Sequence, residues 1–223
     1  MTSAAAQPVP YSGVPGGAPW ASGSFAAAYQ EAVEVDSVAA KLLAARAAAD
    51  QAVYLETDAA QALAWLAKSE AAAAAAVALD PNGPLAAMAT MALARAKGEA
   101  ARHRGLLENT RLPGEMRELF ERVLALDPDN ADALIAFGAW HLELTERGVG
   151  WLYGGRKDQV LPLFERGVAA APEQLNLRVE YAVALQTLGR AAEAEEQLRI
   201  ALALPAVTAA DRLEQSRARR LLP

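Results

Sequence analysis

The chain contains no cysteine, which excludes disulfides and thiolate metal sites outright. It has only two histidines, His103 and His141, and neither has a second ligand one helical turn further on. Without a thiol, a nucleophile would have to be Ser or Thr with histidine support, and no Gly-x-Ser-x-Gly elbow occurs. Catalysis is therefore unsupported, and no metal or cofactor is expected. Basic residues are not in excess: 27 acidic against 21 basic side chains give a net charge of −6. The sequence pI is about 5.1. A nucleic-acid surface would need a basic stripe, so nucleic acid is not an expected partner. No stretch of about 18 apolar residues is evident, so no membrane span is expected. The alanine run Ala71–Ala76, continued by Val77, Ala78 and Leu79, is too short and too weakly hydrophobic.

The N-terminus lacks the basic and apolar blocks of a signal peptide. A cytoplasmic location follows if Met1 is the native start, and a periplasmic one if a signal peptide has been removed.

What is present in quantity is alanine, about a quarter of the residues, within an apolar total of 53%. Alanine has the highest helix propensity, and its lack of bulk lets neighbouring helices approach closely. Residues 1–22 are rich in Pro, Gly, Ser and Ala and lack periodicity, as expected of a flexible leader. Trp20 and Phe25 could pin its end to the first helix. From 23 to 223 the chain reads as a single helical unit. Helices are expected from about Ser24 to Glu34 and from Ser37 to Leu55. Thr57 and Asp58 offer an N-cap for a third. The breaker Asp80-Pro81-Asn82-Gly83-Pro84 ends that helix.

Related phrases then close successive helices: Val77-Ala78-Leu79-Asp80-Pro81, Leu124-Ala125-Leu126-Asp127-Pro128, Val168-Ala169-Ala170-Ala171-Pro172 and Ala201-Leu202-Ala203-Leu204-Pro205. The last two prolines are 33 residues apart, and the earlier gaps are 44 and 47. The periodicity delimits pairs at about 37–80, 84–127, 131–171 and 175–204, with a cap helix over 208–222. Thr208 and Asp211 have capping-box spacing.

The last third resembles the tetratricopeptide (TPR) motif, whose repeat is about 34 residues. The residues that carry the likeness are Tyr181-Ala182, Leu185, Gly189-Arg190, Ala194, Leu198 and Ala201. The preceding repeat shows Leu134, Phe137-Gly138, Phe164, Gly167 and Pro172 in the same roles, with His141 where a tyrosine is usual and Arg178 where an apolar residue is usual. The resemblance implies an all-α fold, a right-handed superhelical stack of about three to four helix-turn-helix pairs with a C-terminal capping helix. It also implies a binding scaffold whose first helices line a concave groove. Carried over by position, that groove would present Asp132, Ile135, Ala136, Ala139 and Glu143, then Asn176, Val179, Glu180, Val183 and Gln186. The surface is mixed apolar and acidic. It suits a protein or peptide of apolar and basic character.

The long gaps place two insertions between first and second helices, at about 97–114 and 145–157. The second carries four glycines among Trp151, Leu152 and Tyr153, followed by Arg156. It reads either as a plug over the helix ends or as a partner contact through Trp151, Tyr153 and Arg156. Its glycines follow a helix rather than a strand and fit no phosphate-loop spacing. Acidic Glu193, Glu195 and Glu196 beside Arg190 and Arg199 read as surface charge pairs. The alternative function, by likeness of this loop's shape, is small-ligand binding in a bacterial export or solute-transport system. End repeats and the alanine-rich N-terminal region can both pair, so a homo-oligomer is among the allowed assemblies.

Overall fold

A computed structural model describes residues 10–104 and 110–222. The described residues are helical and contain no strand. Two short helices, α1 (Gly17–Ser22) and α2 (Phe25–Val33), precede four antiparallel pairs. The first pair is α3 (Val38–Asp50) with α4 (Ala59–Leu79), and the second is α5 (Ala86–Arg104) with α6 (Leu112–Leu126). In the third, α7 (Ala131–Glu146) packs on α9 (Lys157–Ala170), with the single turn α8 (Gly150–Tyr153) between them. The fourth is α10 (Leu175–Thr187) with α11 (Ala191–Ala203), capped by α12 (Ala209–Leu221). Each helix packs chiefly on its neighbours in sequence, and α3 also touches α5 as α7 touches α10. This is the helical stack of successive pairs that the proline spacing implied.

Local chemistry sets the ends. Ser37, Asp58 and Asn130 each accept a backbone N–H from the third residue on, and Thr208 with Asp211 forms the capping box. Thr57 plays no part in the cap of α4. At the other end, proline turns receive arginines from the next outer helix: Arg122 Nη2 donates to the Pro81 carbonyl at 3.1 Å, and Arg166 Nη2 to that of Pro128 at 3.1 Å. The same stitch thus recurs one pair along.

Alanine explains the packing of the first half. In α3, Ala40, Ala44, Ala45, Ala47 and Ala48 are all buried, so neighbours cover the helix on nearly every side. In the second half glycine does the same work. A Cβ on Gly138 of α7 would lie 2.9 Å from the Phe164 ring, and one on Gly167 of α9 would lie 2.7 Å from Ile135 Cγ1. Phe164 in turn stacks on Tyr181 of the next pair, with ring centroids 5.4 Å apart. The surface carries the expected pairs Arg190–Glu193 and Arg199–Glu195.

Two expectations are corrected. The leader is not without structure from residue 10 onward: it makes a turn, then α1, and Trp20 is only 4% exposed. The reason is that Trp20 and Tyr11 find an inner surface to cover. The first insertion is not all loop: α5 runs to Arg104, the end expected of a helix from Leu85, and α6 opens at Leu112 rather than near Glu115, with Pro113 in its first turn. Its Leu106, Leu107, Glu108 and Asn109 lie outside the described residues. One helix, α4, is long and apolar enough by length and composition to cross a membrane, with mean hydropathy 1.4 over an 18-residue window, which does not overturn the expectation of no span. Summed alanine produces that value, and in the fold α4 packs between α3 and α5.

Two helical glycines separate packing from propensity. Gly138→Ala should lower stability by about 1–3 kcal/mol in urea titration, because the buried Phe164 ring has no room to yield. Gly98→Ala, which meets only the end of Met116 at 3.4 Å, should be neutral or stabilising by up to about 1 kcal/mol.

Candidate functional site

The first helices of neighbouring pairs touch, α3 with α5 and α7 with α10, and form one side of the stack, termed its inner side. The predicted groove residues on it are mostly engaged already. Asp132 at the start of α7 receives Arg95 Nη2 of α5 at 2.7 Å and Gln174 Nε2 at 3.5 Å. Glu180 of α10 is paired with Arg217 of the cap helix at 2.6 Å. Gln186 donates to the Leu221 carbonyl, also on the cap, at 3.2 Å. Glu143 is exposed and pairs with Arg147 one turn on. Ala136, Ala139, Asn176 and Val183 are half-buried. Ile135 and Val179 do not face a groove at all: they are 4% and 0% exposed. Ile135 turns instead toward its hairpin partner, over Gly167, because that glycine leaves the space.

The cap helix is more than a polar lid. Its Ala209 and Ala210 pack in one apolar cluster with Trp20, Phe25 and Ala28, so the end of the chain returns to its beginning. Glu214, 5% exposed, accepts a hydrogen bond from Tyr54 Oη at 2.7 Å, across 160 residues of sequence. Arg217 lies 3.4 Å from the other oxygen of that carboxylate. Tyr54 reaches this position from a wide π-helical turn, Gln51–Leu55, that ends α3. Burial pushes the Glu214 carboxyl above its ordinary range, with Arg217 and the Tyr54 hydroxyl opposing. Burial and the facing Glu214 also push the Tyr54 hydroxyl up, so it stays a donor.

The second insertion is a folded turn with an exposed tip. Gly148 and Gly154 take φ of +70° and +82°, which side-chain-bearing residues rarely adopt. The amides of Gly154 and Gly155 both donate to the Gly150 carbonyl at 2.8 Å. A Cβ on Gly150 would fall 2.8 Å from the Gly155 carbonyl oxygen, so the close crossing needs glycine. His141 clamps the far end: its Nδ1 accepts the Arg156 backbone N–H at 3.0 Å, and its ring stacks on Phe137 at 4.5 Å. Burial, then the charges of Arg156 and Arg117, lower the His141 pKa to about 4, which keeps the imidazole neutral and able to accept.

Within this turn the three apolar residues divide. Tyr153 is half-buried against the cluster that holds Met116, Phe120, Trp140 and Leu144. Trp151 is 84% exposed and Leu152 56%. Arg156 is exposed and pairs with Asp158 at 2.7 Å. The plug reading therefore holds for Tyr153, while Trp151, Leu152 and Arg156 are left to solvent. Among the described residues no three His, Asp or Glu side chains gather as a metal site.

Sequence reasoning missed the inner residues Tyr11, Arg46, Asp50, Tyr54 and Glu214. For Arg46, Asp50 and Tyr54 the only legible signal was polarity in or beside the alanine-rich α3; Tyr11 and Glu214 gave none.

The His141 clamp carries a pH dependence. A base whose folded pKa lies below its ordinary 6.5 stabilises the fold fully above that value and loses the contribution as pH falls toward 4. The His141 ring should titrate by NMR with a midpoint near 4, and the Arg156 amide should shift with it. For Glu214 the sign is opposite: a raised carboxyl pKa favours the closed fold at acid pH, and the contribution fades as pH rises through the folded value. Glu214→Gln, which keeps an acceptor for Tyr54, should therefore melt at pH 7 no lower than wild type. Glu214→Ala should cost about 1–3 kcal/mol by leaving the buried Tyr54 hydroxyl unpaired.

No protein-family model matches the chain, and no curated protein matches it. Among solved structures it is similar to a crystal structure of MamA, with TM-score 0.46 and 16% identity over 92% of this chain and 96% of that one. A crystal structure of MamA protein matches with TM-score 0.43 and 18% identity over 94% and 93%.

Proposed function

We propose that this chain is a non-catalytic helical-repeat scaffold that binds a protein or peptide through the turn at 145–157. The observation that carries the reading is Trp151, 84% exposed at the tip of a turn whose backbone is closed by glycine contacts and anchored by His141. Tryptophan offers the largest apolar surface of any side chain, and tryptophans seated in a partner's pocket are among the commonest energetic anchors of interfaces. Presenting one on a rigid turn reduces the ordering cost of binding. Leu152 widens the apolar tip, and Arg156 adds a charged rim. Peptide capture along α7 and α10 is the weaker variant, because Asp132 and Glu180 are already paired within the fold. The small-ligand alternative could draw on a cavity of about 100 Å³ between α3 and α5. That is small beside the roughly 300–1,000 Å³ of ordinary ligand clefts.

The test is selection from a displayed peptide library, followed by affinity measurement on three chains. Trp151→Ala should weaken binding about 30-fold, as loss of an anchor of roughly 2 kcal/mol requires. Glu143→Ala, at an exposed inner-face position, should leave binding within about twofold. The reverse pattern would move the contact to the groove, and no change in either chain would remove both surfaces.

A further inference from the structure

The inner face of the first two pairs already holds a guest, and the guest belongs to this chain. On α3, Leu42, Ala45, Arg46, Ala49 and Asp50 recur at helical spacing, and on α5 Met88, Met91, Ala92 and Arg95 do the same. Between these stripes lies the 100 Å³ cavity, with Tyr11 as one wall. Beside it, the Trp20 indole Nε1–H donates to Asp50 Oδ2 at 2.7 Å. Arg46 holds the same carboxylate at 2.8 Å, and its guanidinium lies 5.7 Å from the Trp20 ring centroid. Tyr11 meets the Trp20 ring edge-on at 5.3 Å.

A single indole thus does three things at this seat. It supplies the donor that a 4%-exposed carboxylate requires, offers a π face to a cation, and keeps water from the pair. The segment that delivers it is short and packs through few large side chains, chiefly Tyr11 and Trp20. Helix α1 has six residues, and Tyr11 sits at φ +60°, in the left-handed region that costs a non-glycine residue. Met88 and Met91 next to the seat can re-pack around a different guest, and Met88 is 47% exposed.

We propose that the Arg46–Asp50 seat on α3 is a recognition site for a tryptophan carried by a partner polypeptide, occupied in cis by residues 10–22 until such a partner displaces them. Tryptophan fits because its indole unites a broad π face for the guanidinium with a ring N–H for the carboxylate, whereas the smaller imidazole, the other ring with an N–H, covers far less apolar surface. The cis segment acts at an effective concentration of about millimolar, so only a partner whose tryptophan makes the same contacts can compete. The seat shares no residue with the Trp151 turn, and each stands without the other.

The test titrates full-length chains into a fluorescein-labelled synthetic peptide with the sequence of residues 10–24, read by anisotropy. The Trp20→Ala chain, whose seat is empty, should bind the peptide at least tenfold more tightly than wild type. The Trp20→Phe chain keeps the ring but loses the N–H, should fold in any case, and should fall between the two. A peptide with its tryptophan replaced by alanine should lose at least tenfold, as should the Trp20→Ala chain carrying Asp50→Asn in addition. Trp151→Ala in the Trp20→Ala background should leave the affinity unchanged. Equal binding of the two peptides, or a Trp20→Phe chain no better than wild type, would overturn the proposal. So would a sedimenting complex between wild-type and Trp20→Ala chains, which would assign the seat to a second copy.

Discussion

Close approach of helix backbones is the constraint from which the rest of this structure follows. Helices α2 to α5 meet through alanine, and α7 meets α9 through Gly138 and Gly167, so little bulk separates neighbouring axes. The turns of the stack bring the two ends of the chain together. A Cβ on Gly23 would lie 2.9 Å from that of Ala209, and Tyr54 bonds Glu214. In such a stack α12 covers part of what α1 and α2 leave open.

Closure changes what the inner surface can do. Four of its carboxylates are buried or half-buried and meet a donor from another element: Asp50 from Trp20, Asp132 from Arg95, Glu180 from Arg217, Glu214 from Tyr54. Glu143, by contrast, is exposed and pairs within its own helix end. Desolvated charges need such partners, and breaking one pair leaves the other charge uncompensated. These contacts therefore set the register between distant helices more than they add net stability. The largest side chain left to solvent is Trp151, outside this paired interior. The molecule consequently divides into an inner face engaged with itself and a glycine-framed turn directed outward.

Much of the architecture was legible in the order of residues. Alanine content, the recurrent prolines and the Thr208–Asp211 spacing each act within one helix or one turn, so local chemistry is enough to read them. The groove was less legible. Position along a repeat places Ile135 and Val179 on a concave side, yet the vacancy left by Gly167 draws Ile135 into its own hairpin. The leader was misread from residue 10 onward for a related reason. Its Gly and Pro content describes the segment alone, whereas its conformation depends on Arg46 and Asp50, thirty residues further along.

By itself, then, the sequence determined that the chain from 23 onward is helical, where several helices stop and that they follow one another in pairs, because propensity, capping and breaking are short-range effects. It also determined that the 145–157 segment would need glycine. Only the tertiary structure decided that the chain's two ends meet, that Trp20 covers a buried ion pair, and that Trp151 points outward while Tyr153 packs inward. Those outcomes depend on which surfaces confront one another once the stack has curled. The free energy of desolvating a carboxylate or an indole is set by neighbours that no local pattern records.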